Sequence, residues 1–172
     1  MPGTLYDNPN LFTETISAVT ATNTVQLGAV RYWNGGEYKY VYNGDTVAIA
    51  PGNAVNLSSG GSGTTISASM TTGDAAYGVV QNATLTTNTY GWVLRRGIGM
   101  VTVASNSVAA TKILCVTGSG TFGDMSLILV GGMSGSTGGS GALLTSYQPV
   151  GRSLGSGATG ASILAAVNFS ST

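Results

Sequence analysis

From one end of this chain to the other, short runs of alternating or β-branched residues are interrupted by Gly, Asn or Ser. That punctuation constrains the fold more than any single motif does. An amphipathic helix needs apolar residues every three to four positions, and no stretch here holds that period for a useful length. A strand needs only a few residues of period two, bounded by residues that turn. The pattern predicts an all-β chain, a small β-barrel or β-sandwich with Gly/Ser-rich loops.

The clearest hairpin runs from "VQLGAVRYW" through "NGG" at Asn34–Gly36 into "EYKYVYN". Asn and Gly tolerate the positive φ that tight hairpin turns require. A second Asn-Gly, Asn43 and Gly44, leads into "DTVAIAPG". Further strand candidates are "ETISAVTA", "TTISASM", "AYGVVQNA", "GWVLRRG", "GMVTVAS", "KILCVTG", "SLILV", "YQPVGRSL" and "ASILAAVNF". "LSSGGSG" at Leu57–Gly63 reads as a turn, and "GGMSGSTGGSG" at Gly131–Gly141 as a low-complexity loop. Pro2 and the Asn8-Pro9 step favour extended backbone, so residues 1–15 read as an arm before a single β domain over 16–172.

The chain has 172 residues, enough for one domain with a real core. Its hydrophobic fraction of 42% separates it from disordered chains, which combine low hydrophobicity with high net charge. Only 7% of residues are charged, against roughly 25% in ordinary domains. The net charge is zero and no cluster of Lys or Arg is present, so neither nucleic acid nor an anionic membrane is an expected partner. No apolar run approaches the length that spans a bilayer. The first residues lack the basic start and apolar run of a secretory signal, which points to synthesis in the cytoplasm. Cys115 is the sole cysteine, so no intrachain disulfide forms. A neutral, charge-poor surface suits a subunit packed against other subunits.

Several motifs suggest chemistry and none completes it. "GRSLG" at Gly151–Gly155 matches the nucleophile elbow, but the chain contains no histidine to act as base. "GSGTFG" and "GSGATG" match the dinucleotide fingerprint, yet no Asp or Glu follows Asp124 to hold a ribose. One Cys and six scattered acids build no transition-metal site. Glu37 and Asp45 flank the tyrosine hairpin and read as solvated hairpin ends. The expectation is a non-enzyme with no cofactor and no metal.

In "EYKYVYN" the period of two places Tyr38, Tyr40 and Tyr42 on one face. They form either a contact surface or ordinary half-buried packing. In "GWVLRRG" a regular strand sends Arg95 and Arg96 to opposite faces, unless Gly97 and Gly99 mark a bulge. Arg96 shares a parity with Trp92 and Leu94, so it is expected to be structural. Arg95 is expected to face solvent or a neighbouring subunit.

"AYGVVQNATLTTNTYGWVLRRGIGMVTVA", "KILCVTGSGTF" and "PVGRSLGSGATGASILAAVNF" together resemble the capsid decoration, or cement, proteins of tailed bacteriophages, over about residues 75–169. Ser153 stands where a small residue is usual in that family. The resemblance implies a small β-domain on the outer surface of a virion capsid. Its partners would be the major capsid protein and further copies of itself, with a trimer favoured. On that reading the arm supplies candidate interface residues Leu5, Tyr6, Leu11 and Phe12, joined by Tyr38, Tyr40, Tyr42 and Arg95. A different role is a tail- or fibre-associated glycan-binding protein, in which Trp33 and the tyrosines stack on sugar rings.

Overall fold

The computed structural model describes residues 15–57, 64–68, 76–81, 83–104, 107–116, 120–124 and 149–169. The arm residues Leu5, Tyr6, Leu11 and Phe12, the run "SLILV" and the loop Gly131–Gly141 lie outside them. The fold is all-β, as the punctuation predicts. Among the described residues there are ten strands: β1 Val30–Trp33, β2 Gly36–Asn43, β3 Ala54–Leu57, β4 Thr65–Ser67, β5 Ala76–Val80, β6 Tyr90–Thr102, β7 Ile113–Val116, β8 Phe122–Asp124, β9 Pro149–Ser153 and β10 Ser162–Asn168.

Five of the strands close on themselves in the order β2–β4–β3–β5–β6 and back to β2. Only the β2–β4 contact in this barrel is parallel. Val41, Val55, Ile66, Val80 and Val93 contribute one side chain from each strand to a shared apolar cluster, joined by Ile49, Tyr77 and Leu85. β-branched residues dominate because they fit a pleated surface with little loss of rotamer freedom. Each full burial of such a side chain is worth about 1.5–3 kcal/mol.

The second half of β6 leaves the barrel and starts a second sheet, β6–β10–β9–β7–β8. Its inner residues Val101, Val103, Leu114, Ile163, Ala165 and Val167 pack with Tyr38, Tyr40, Trp92 and Leu94 in the larger core. That core lies between the second sheet and the outside of the barrel. "GWVLRRG" and "GMVTVAS" as far as Thr102 therefore belong to one strand of 13 residues serving two sheets.

Asn34 (φ 46°) and Gly35 (φ 72°) make the two-residue turn between β1 and β2. Asn43–Gly44 makes no hairpin. The Asn43 side chain is fully buried, and its Nδ2 donates to the carbonyls of Val47, Leu85 and Thr86 at 3.1, 2.9 and 3.1 Å. The residue is used to satisfy loop carbonyls that would otherwise be orphaned, so the chain runs on to Ala54 before the next strand. "ETISAVTA" also departs from expectation. It turns at Ile16–Ser17, and among its described residues, 15–21, only Thr20 pairs, in an isolated bridge to Tyr90.

Burial raises the Tyr38 phenol above its ordinary value of 10.0. The folded chain thus holds this proton to higher pH than the unfolded chain does. The stability it contributes is complete below pH ~10 and is lost as pH rises through the folded value. Urea midpoints are expected to be flat from neutrality to about pH 9 and to fall above about pH 10. Tyr38→Phe should fall less steeply, and identical slopes would contradict the assignment.

Candidate functional site: an exposed sheet face

The face with functional promise is set by one extra residue in β6. Across the β2–β6 ladder Tyr38 pairs with Leu94 and Glu37 with Arg96, so Arg95 has no opposite number. A bulge of this kind resets which side chains face the core. Before it, the even-numbered Trp92 and Leu94 enter the larger core; after it, the odd-numbered Val101 and Val103 do. Arg96, Ile98 and Met100 are turned outward and exposed.

The ladders carry that outer face across neighbouring strands. Tyr32, Glu37, Arg96 and Asn168 form one row over β1, β2, β6 and β10. Ile98, Ala166, Arg152 and Ile113 form the next, over β6, β10, β9 and β7. Met100 and Leu164 pair in a third, and the Leu154 N–H donates to the Leu164 carbonyl beside them at 2.9 Å. Tyr32, Ile98, Met100, Ile113, Leu154 and Leu164 are 40–63% exposed. They are six of the nine exposed large hydrophobic residues among those described, which marks one face and not a scatter.

Two arginines stand in this apolar ground. Arg96 Nε donates to Asn168 Oδ1 at 3.2 Å, and Arg152 Nε donates to the Thr111 carbonyl at 3.0 Å. Both side chains are exposed and lie along the face.

The expected roles of the arginine pair are reversed. Arg95 is only 6% exposed, with its guanidinium carbon 4.0 Å from the centroid of the Tyr77 ring. Its Nη2 donates to the Phe169 carbonyl at 3.3 Å, and the Phe169 N–H donates back to the Arg95 carbonyl at 3.0 Å. Arg95 is thus no surface contact, and Arg96 is the exposed one. The bulge is the cause: it adds a residue where a regular strand would have kept Arg96 under Trp92 and Leu94.

The tyrosine stripe takes the packing alternative for two of its members. Tyr38 and Tyr40 lie in the larger core at 8% and 0% exposure, so neither offers a contact surface. Tyr40 stacks with Tyr90 at 6.2 Å and meets Trp92 at 5.1 Å. Tyr42 is half-buried, its ring 4.9 Å from Tyr90 and its hydroxyl donating to Asn88 Oδ1 at 2.8 Å. The face that is exposed, through Ile98, Met100, Ile113, Leu154 and Leu164, was not singled out from sequence. Ile98 and Met100 alternate with Gly97 and Gly99, but without the bulge that alternation reads as a continuation of the Trp92 side.

Ser153 of "GRSLG" is fully buried, with Oγ donating to the Ala109 carbonyl at 2.7 Å and accepting from the Lys112 N–H at 2.9 Å. It braces the β9 end against the 109–112 turn. Among the described residues no group of His, Cys, Asp or Glu is placed to hold a metal ion. What the arrangement offers is apolar area, two outward cations and a half-buried acid at the rim, which suits docking.

No protein-family model matches the sequence, and no curated protein matches it. Among solved structures, the N base of the head fiber gp8.5 of bacteriophage phi29 is similar, with a TM-score of 0.47 and 9% identity, covering 78% of this chain and 98% of that one.

Proposed function

We propose that this chain is a virion structural protein, a decoration subunit that binds and stabilises the outer surface of an assembled phage capsid. The observation that carries the reading is the broad apolar face of the second sheet. Six large hydrophobic side chains left in water on one face cost free energy that burial in an assembly recovers, at about 25 cal/mol per Å². The charge-poor composition points the same way, because surfaces that meet other subunits are depleted of charge at their centres. The sequence resemblance to cement proteins supplies the class of assembly. The major capsid protein is then the partner, and the arm with Leu5, Tyr6, Leu11 and Phe12 is the segment assigned to it.

Co-sedimentation with isolated capsids stripped of this protein tests the reading. Saturable binding at a fixed ratio to the major capsid protein is expected. Protein left in the supernatant at micromolar concentration would dispose of the idea.

A second reading has one observation in its favour. Tyr32 and Trp33 are both exposed on β1, at 59% and 49% and on opposite faces of the strand, and aromatic rings of this kind stack on sugars. Binding on a glycan array, together with silence on capsids, would put the glycan-binding role first.

A further inference from the structure

We propose that the outer face of β6, β10, β9 and β7 is the docking surface for a second copy of this chain, paired about a two-fold axis. This rests on the assembly reading above, in which the apolar face is buried on assembly, and it names a second copy of the chain as the neighbour that covers it.

A two-fold interface must be self-complementary, because the same patch appears on both sides. The charges on this face meet that condition. Glu37 lies on β2 in the first row and Arg152 on β9 in the second. Three strand spacings separate them, about 14 Å at ~4.8 Å each. The midpoint of the diagonal between them falls among Arg96, Asn168, Ile98 and Ala166. A two-fold axis lying parallel to the sheet, and crossing that diagonal at right angles at its midpoint, lays each Glu37 over the other copy's Arg152 and brings the two Ile98 side chains together. The Glu37 carboxylate has no hydrogen-bond or ion-pair partner among the described residues. The Asp45 carboxylate, in contrast, is already engaged by Ser67 Oγ at 2.6 Å and the Ala68 N–H at 2.9 Å. Burial of the apolar ground supplies affinity, and the acid–base pair at each end fixes register.

The mass of the full chain in solution tests this, measured by light scattering across the micromolar range. Twice 17.2 kDa is expected. Ile98→Asp changes a side chain that is 63% exposed, so the fold should survive while the mass falls to that of one chain. Leu164→Asp should act in the same direction. Arg152→Glu should weaken pairing roughly tenfold, and adding Glu37→Arg should restore most of it. Circular dichroism verifies that each variant is folded. A single-chain mass for the unmodified protein, a three-chain mass, or a pair indifferent to Ile98→Asp would each overturn the proposal. A single chain that still sediments with capsids would remove the pairing and leave the decoration role standing. A pair that ignores capsids would do the reverse.

Discussion

Replacing Gly97 by Val is expected to lower stability by about 4 kcal/mol or more, enough to unfold a domain of ordinary stability at modest temperature. Gly97 has φ +127°, a backbone conformation that side-chain-bearing residues rarely adopt. A Cβ there would lie 2.7 Å from the Gly36 Cα and 3.2 Å from the Gly35 carbonyl oxygen. Both obstacles are backbone, and Gly35 and Gly36 are held by the β1–β2 turn and its ladder. No side chain can swing aside to relieve the clash. Backbone strain costs about 1–3 kcal/mol and overpacking about as much again, which together give the estimate. Gly35→Ala is the matched control. Its φ is +72°, but nothing lies within 4 Å of the added Cβ, so it should lose only about 1–2 kcal/mol. Urea denaturation of the two variants side by side reads the difference, and equal midpoints would refute the close-approach argument.

Arg95→Ala should cost about 2–4 kcal/mol, whereas Arg96→Ala should stay within ~0.5 kcal/mol in the isolated domain. Arg95 is packed over Tyr77 and donates to the Phe169 carbonyl just beyond β10. Truncation removes the ring contact, empties the space of a long stem and takes away that carbonyl's guanidinium donor. Arg96 holds only Asn168 at an exposed position. Arg95→Met separates the two contributions, because it keeps most of the stem and loses the hydrogen bond. Thermal melts with equal, negligible losses for both alanine variants would show that the bulge does not bury Arg95 as described.

Strand existence was legible because Gly and Asn punctuation is local. "VRYW", Asn34–Gly35 and "GEYKYVYN" fold as their sequence says, since a two-residue turn fixes the pairing of its flanks. Closure of the barrel was not legible. It depends on the parallel contact of β2 with β4, in which Tyr42 meets Thr65 across an intervening loop and strand that carry no local sign of it. The arginine assignment and the exposed face failed together, and for one reason. A parity argument counts residues along a strand, and a single uncounted residue at Arg95 exchanges the two faces downstream. Gly97 was the available sign, although a glycine alone does not say on which side of it the extra residue falls. The tyrosines misled differently. Tyr40 carries a hydroxyl but is fully buried, because Thr20 Oγ1 lies 3.2 Å away to satisfy it.

β6 belongs to the barrel at its start and to the second sheet at its end, without a break in the chain. The two halves of the molecule therefore have no hinge between them at this strand. A domain joined by a linker can tilt when one side is gripped. Here a displacement at Tyr90 is passed along a strand of 13 residues to Thr102, flanked by hydrogen-bonded ladders. Mechanically the chain is a strut, and force applied at one end of β6 is delivered at the other.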